Sequence, residues 1–346
     1  MNNKTIFAGP CSAETEDQVM QTAEKIADID KKIIFRSGIW KPRTRPNSFE
    51  GVGAVGLSWL MNVQKTYGLR TGVEVANTKH VEEALSNKVS VLWIGARTTV
   101  NPFTVQEIAD ALKGSGVAVY IKNPINPDIQ LWIGALERIQ NAGIKEIGII
   151  HRGFSSYRKS EFRNVPMWQI PIEMKLKYPN LPLLCDVSHI GGGRANLLSL
   201  AQKAADLDFN GLMIETHITP DKAWSDAEQQ VTPDELSAIL TSIKWKANDR
   251  IESIKSSLEK MREEIGSIDN EIFHLISQRM KISENIGVLK KEHNIPVLQA
   301  QRWKEIITQS VEKGKKLGLS TDFIQTYLDA IHIESIGKQN EEKKEE

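Results

Sequence analysis

Eight short apolar runs recur about every thirty residues through the first 245 or so, and they constrain this chain more than any other feature. They are Thr5–Ala8, Ile33–Phe35, Thr71–Val75, Val91–Ile94, Val117–Ile121, Ile147–Ile150, Leu181–Cys185 and Gly211–Ile214. Each is short and nearly continuous. A strand covered on both faces reads this way, whereas one with a wet face alternates. Amphipathic stretches such as Asp17–Ile29, Val105–Lys113 and Ala195–Leu207 lie between the runs. Eight β–α units in this length fit a closed (β/α)8 TIM barrel, with an open doubly wound sheet of five or six strands as the alternative.

After Trp245 the pattern changes. Glycine and proline thin out, and apolar residues fall at Ile254, Leu258, Met261, Ile265, Ile268, Ile272, Leu275, Ile282, Ile286 and Leu289. Steps of four and three make a heptad seam on one helix of about 35–40 residues. Asn294-Ile295-Pro296 ends it, and shorter helices are expected at Ala300–Lys313 and Thr321–Ile336. The fold class expected is therefore α/β. A TIM barrel at 1–245 and a linker at 246–252 precede a smaller all-α three-helix domain at 253–340 and a charged tail at 341–346. So long a helix needs a partner for its seam, which implies a homodimer through the helical domain.

Charge excludes some classes of function. Lys plus Arg and Asp plus Glu both number 44, and a cut near Ile251 leaves both parts close to neutral. A nucleic-acid binder would carry a basic excess. No apolar run reaches the length of a membrane span, and no secretory leader opens the chain. With two cysteines, Cys11 and Cys185, a disulfide framework is not expected; a cytoplasmic enzyme of small molecules is.

In a (β/α)8 barrel the reactive groups gather where strands end. Here those ends carry Cys11, Arg36, Lys41, Glu74, Arg97, Lys122, Arg152, Asp186, His189, Glu215 and Asp226. Cys11, His189, Glu215 and Asp226 come from strands one, seven and eight, which become neighbours on closure. A thiolate, an imidazole and two carboxylates suit a divalent metal such as manganese, iron, cobalt or zinc. Singly, Cys11 also reads as a small buried hydrophobe and His189 as a polar residue near a turn. Lys41, Arg43, Arg97, Lys122 and Arg152 need counter-anions, and phosphorylated substrates would supply them. Pairing with Glu50, Glu74 or Glu161 is the plainer alternative.

These residues stand in motifs that resemble a family. Gly9-Pro10-Cys11-Ser12-Ala13-Glu14, Lys41-Pro42-Arg43-Thr44, Gly95-Ala96-Arg97-Thr98-Thr99, Ile121-Lys122-Asn123, His151-Arg152-Gly153 and Asp186-Val187-Ser188-His189 are similar to those of the type I DAHP synthases. The resemblance covers roughly residues 5–245. It implies condensation of phosphoenolpyruvate with erythrose 4-phosphate and water to 3-deoxy-D-arabino-heptulosonate 7-phosphate, with release of phosphate. It also implies a metal on Cys11, His189, Glu215 and Asp226, and phosphoenolpyruvate on Arg97, Lys122, Arg152 and Arg36. Lys41 would be the proton donor, and Arg43 and Thr44 would hold the erythrose 4-phosphate phosphate. The related synthases that use arabinose 5-phosphate carry Lys-Ala-Asn-Arg at the second motif, so the proline form favours erythrose 4-phosphate. Val187, usually proline, and Ile39-Trp40, usually a smaller pair, depart from the family.

In the helical seam the slot between Leu275 and Ile282 holds Arg279, which reads as a register-fixing polar residue or as a functional one. Lys290 shares its face, about 20° off and about 16 Å along, whereas Arg262 lies about 25 Å away and about 100° round. It cannot join the same pocket on one straight helix, and an antiparallel partner helix could supply it. Arg262, Arg279, Lys290, Arg302, Ser335 and Gln339 resemble the pattern of the all-helical chorismate mutases, over about residues 253–340. The resemblance implies rearrangement of chorismate to prephenate, with Arg279 and a partner's Arg262 on the carboxylates and Lys290 and Gln339 on the ether oxygen. Arg302 and Ser335 would complete the site. Gln299 replaces a common acid, and Trp303 a glutamate that usually contacts the substrate hydroxyl; Glu305 or the linker could compensate. Feedback of prephenate or chorismate on the barrel is expected from the fusion. A single-activity synthase whose tail senses ligand without catalysis is the alternative.

Overall fold

The computed structural model describes residues 4–41, 49–157, 160–246 and 251–340, with side chains from residue 255 in the last stretch. The chain divides into two compact units, Met1–Lys246 and Ala247–Glu346.

The first unit is the closed barrel. Its strands are β1 (Thr5–Gly9), β2 (Ile34–Arg36), β3 (Thr71–Val75), β4 (Val91–Ile94), β5 (Ala118–Lys122), β6 (Ile147–His151), β7 (Leu183–Asp186) and β8 (Gly211–Glu215). They pair in sequence order, all parallel, and β8 returns to β1. Helices α1 (Glu16–Ile29), α2 (Val55–Tyr67), α3 (Thr78–Ser86), α4 (Ala96–Thr99), α5 (Pro102–Leu112), α6 (Ile129–Asn141) and α7 (Gln169–Lys177) follow the earlier strands. Then come α8 (Val187–Gly191), α9 (Leu197–Asp206) and α10 (Pro233–Ser242). Several strands run past the last apolar residue to include a charged one, such as Arg36, Lys122, Asp186 or Glu215. The backbone ladder is indifferent to side-chain polarity, whereas an apolar run stops at the first charge.

Period-two geometry then positions the site. Phe7, Ile34, Trp93, Tyr120, Ile150, Leu184 and Met213 belong to one buried cluster that fills the barrel. Two residues on from Ile34, Tyr120, Ile150, Leu184 and Met213 stand Arg36, Lys122, Arg152, Asp186 and Glu215. Each side chain therefore returns to the inner face one layer higher. The alternate residues form the larger core between strands and helices. Gly9, at φ +143°, lets β1 approach β2 so closely that a Cβ there would lie 2.1 Å from the Arg36 carbonyl oxygen.

The second unit has three helices, α11 (Ile251–Glu292), α12 (Ala300–Lys316) and α13 (Thr321–Asn340). α11 packs along α13. Gly287 permits the approach, since a Cβ there would sit 2.5 Å from the Gln339 carbonyl oxygen. Gln299, at the N-cap of α12, makes no side-chain cap.

Candidate active site

The mouth of the barrel is lined by Arg36, Trp40, Lys41, Glu74, Arg97, Arg152, Arg163, His189, Glu215 and Asp226. Its floor is Trp93, whose indole N–H donates to Glu74 at 3.0 Å. The guanidinium of Arg36 lies 5.0 Å above that ring and the Lys122 ammonium 5.9 Å, so the electron-rich face steadies two buried cations.

Carboxylates neutralise part of the cationic ring from within. Arg36 donates to Glu215 at 2.6 Å, and Lys122 to Asp186 at 2.7 Å, all four side chains buried. Burial opposes ionisation of Asp186, but His189 and Lys122 outweigh it and hold its carboxyl well below the usual range. Of the cations expected to need counter-anions, Lys122 is thus met by Asp186, and among the described residues none of Glu50, Glu74 and Glu161 forms an ion pair with the ring. Arg97 and Arg152 differ. Among the described residues neither has a carboxylate within ion-pair distance. Arg152 reaches Asn164 at 2.7 Å, and burial together with the charges of Arg97 and Arg163 pulls its pKa down to about 10 against the pull of Asp186. An anion bound between these guanidinium groups would relieve that repulsion.

The thiol side of the mouth is equally specific. The Cys11 thiol donates to Asp226 at 3.0 Å and accepts from Lys41 at 2.5 Å. Burial pushes this thiol up to about 12, with Glu215 and Asp226 adding to the effect. Asp226 sits at φ +49°, an uncommon backbone conformation for a non-glycine residue. It is held below the ordinary carboxylate range because Cys11, Arg163 and Lys41 overcome its burial. His189 places Nε2 3.9 Å from Glu215, and its Nδ1 lies 2.9 Å from Asp186 without the alignment of a hydrogen bond. Cys11 and Asp226 thus form one close pair, and His189 and Glu215 another. Among the described residues no three His, Cys, Asp or Glu side chains stand in a metal-holding arrangement. The donor set nonetheless fits a borderline divalent cation: a thiol, an imidazole with a free nitrogen and two carboxylates held charged.

Sequence reasoning missed Arg163, Gln229 and Ser225. Arg163 bridges Asp226 at 2.9 Å and Gln229 at 2.6 Å, Gln229 donates to Glu215 at 2.5 Å, and Ser225 accepts from Lys41 at 3.2 Å. Arg163 and Ser225 lie in loops and Gln229 ends a three-residue 3-10 turn (Ala227–Gln229), where no periodicity marks a face. Of the departures, Trp40 stacks on His80 with ring centroids 4.1 Å apart. Val187 leaves the Asp186 cap on the His189 N–H intact. Arg43 and Thr44 lie outside the described residues.

In the helical unit Arg279 donates to the Ser335 hydroxyl, and Lys290 donates to Gln339 at 3.0 Å and to the Val297 carbonyl at 2.7 Å. Four of the six expected residues therefore meet in two pairs between α11 and α13. Arg262 is exposed and away from them. Arg302 is exposed and pairs with Glu305 at 3.2 Å.

A (β/α)8 barrel whose mouth collects buried cations, a thiol and paired carboxylates offers a site suited to small polyanions. The chain belongs to the DAHP synthetase I family, whose model matches residues 1–253, and the chorismate mutase type II model matches residues 261–340. Its barrel is thus a DAHP synthase-type domain, and its helical unit is similar to chorismate mutases of type II. Over 227 residues the chain is 30% identical to the phospho-2-dehydro-3-deoxyheptonate aldolase of Thermotoga maritima, covering 66% of this chain and 65% of the relative. It thus spans slightly under two thirds of that relative's length. It is also 26% identical to the 2-dehydro-3-deoxyphosphooctonate aldolase of Nitratidesulfovibrio vulgaris, over 69% of this chain and 90% of the relative. A crystal structure of the Thermotoga maritima DAHP synthase superposes with a TM-score of 0.62 at 27% identity, over 69% of this chain and 68% of that one. Among the described residues no helix is long and apolar enough to cross a membrane.

Proposed function

We propose that the chain is a bifunctional cytoplasmic enzyme of the shikimate pathway. Its barrel, residues 1–245, joins phosphoenolpyruvate to erythrose 4-phosphate, and its helical domain, residues 253–340, converts chorismate to prephenate. The observation that carries the first activity is the pair of unneutralised guanidiniums, Arg97 and Arg152, beside cations that already have internal partners. Together with Lys122 and Arg36 they would bind the phosphate and carboxylate of phosphoenolpyruvate, with C3 facing the incoming aldehyde. Lys41, beside Cys11 and Asp226, would give a proton to the aldehyde oxygen as C3 attacks. Water then adds at C2 and phosphate departs. Arg43 and Thr44 would hold the second phosphate, and the Lys41-Pro42-Arg43-Thr44 motif favours the four-carbon sugar over arabinose 5-phosphate. Cys11, His189, Glu215 and Asp226 would hold a divalent cation of manganese, iron, cobalt or zinc, which when bound supplies Lewis-acid chemistry at the aldehyde.

For the rearrangement, Arg279 and Ser335 would take one carboxylate and Arg262 of a second copy the other. Lys290 and Gln339 would stabilise charge on the ether oxygen, and Arg302 would add to the cationic rim. The support for a homodimer is the uncovered seam of α11: Ile265 and Ile268 are each 57% exposed and Leu275 62%. Monomeric proteins seldom leave so continuous an apolar stripe in water. Fusion of two steps of one pathway supports feedback of prephenate or chorismate on the barrel; an unchanged synthase rate at saturating prephenate would exclude it.

The test is Cys11→Ala in the full chain. Formation of the seven-carbon product is expected to be lost, with the thermal midpoint and the mutase rate little changed. Retained turnover would contradict the reading.

A further inference from the structure

Trp303 and His332 form a feature that neither activity yet uses. Their rings stack across α12 and α13 with centroids 3.8 Å apart and planes 10° from parallel. His332 precedes Ser335 by three residues and Gln339 by seven, so all three project from one face of α13. Arg279, whose guanidinium reaches Ser335, lies close enough for its charge to lower the His332 pKa, after burial and against Asp329. The stack therefore borders the same site as Arg279 and Ser335. Both rings are half-buried. Among the described residues no hydrogen bond engages either imidazole nitrogen or the indole N–H.

The chemistry leaves a vacancy of the right kind. Arg279 and Ser335 suit a carboxylate, and Lys290 with Gln339 suits an ether oxygen. Chorismate also carries a ring hydroxyl and an apolar diene, and a hydroxyl withdrawn from water needs a partner. Glu305, two residues from Trp303 on α12, accepts from Arg302. A face-to-face stack fixes the imidazole plane, so it presents its polar edge rather than its face, while the indole offers an apolar wall.

We propose that the Trp303–His332 stack is the wall of the chorismate site that recognises the uncharged part of the substrate, a ring nitrogen of His332 bonding the ring hydroxyl. Both rings then touch substrate, His332 at the hydroxyl and Trp303 at the apolar ring, and Trp303 also holds the imidazole plane. This inference rests on the mutase reading above.

The test uses the full chain, with mutase kinetics and competitive inhibition by a chorismate analogue whose ring hydroxyl is replaced by hydrogen. The wild-type chain is expected to bind the analogue about 10- to 100-fold more weakly than chorismate. His332→Leu is expected to raise KM by a similar factor, leave analogue affinity nearly unchanged and so lose the discrimination, with kcat falling less. Trp303→Leu is expected to follow His332→Leu, and Trp303→Phe, which keeps an aromatic partner, to restore most of the KM. Far-UV circular dichroism confirms that each variant is folded. A wild-type discrimination that survives in folded His332→Leu, or an equal loss for both ligands, overturns the assignment while leaving the mutase reading standing. Absence of wild-type chorismate turnover would remove the reading, and the inference with it.

Discussion

The barrel and the helical unit handle the same problem, burying charge near apolar surface, in opposite ways. The barrel is closed on itself. Arg36 finds Glu215 and Lys122 finds Asp186 inside one unit, and the cations left over mark where ligand goes. The helical unit is open: among the described residues Arg279 and Lys290 have only neutral partners, Arg262 is exposed, and the apolar seam of α11 is uncovered. A barrel removes its strand edges by closure, whereas a long helix removes its apolar stripe only by meeting another helix. On the proposed reading one unit builds its site alone, and the other draws Arg262 from a second copy.

The largest expected effect breaks the second half of that contrast. Ile272→Asp places a charge in the seam, where Ile272 is 45% exposed in one copy. Sedimentation equilibrium should then report a monomer, and mutase turnover should fall to background because a partner's Arg262 is lost. A dimer with full mutase activity would mean that the seam is not the interface. Lys290→Ala is expected to lower mutase kcat by about 10²- to 10³-fold, the cost of one preorganised donor to developing charge. The synthase rate should not move, and an unaltered mutase rate would remove Lys290 from the site.

The smallest effect concerns the barrel's own stability. His151 is buried among Phe154, Trp168 and Phe209. Burial and the neighbouring Arg152 bring its pKa from the ordinary 6.5 to about 3. Between those values the unfolded chain holds the extra proton, so stability falls as pH drops from about 6.5 towards 3. Going from pH 7.5 to 5 should cost about 2 kcal/mol through this group. His151→Phe should flatten the pH dependence of the urea midpoint for the barrel, and an unchanged slope would assign it to other groups.

Much of this contrast was legible in the residues. The eight strands fell at their apolar runs because a doubly covered strand has no polar face to hide. The seam of α11 followed from its spacing, which the helix carries through 42 residues. Arg36, Lys122 and Arg152 stand out at the strand ends because period two returns each to the inner face. Their partners were not legible. Arg36 and Glu215 lie 179 residues apart, and Lys122 and Asp186 64. Which carboxylate meets which cation depends on side-chain reach across a closed ring, and no local pattern encodes that. Arg163 and Gln229 escaped for a related reason, since loops and single 3-10 turns carry chemistry without periodicity. Trp303 was visible only as a departure, and its meaning needed His332 opposite.

The most direct test is anomalous diffraction from crystals of the full chain grown with manganese and phosphoenolpyruvate. The account predicts one strong peak bounded by Cys11, His189, Glu215 and Asp226, with the Lys41 ammonium displaced from the sulfur and the phosphate of phosphoenolpyruvate between Arg97 and Arg152. A barrel mouth without that peak, with Cys11 still paired to Lys41 and the ligand bound elsewhere, would contradict it.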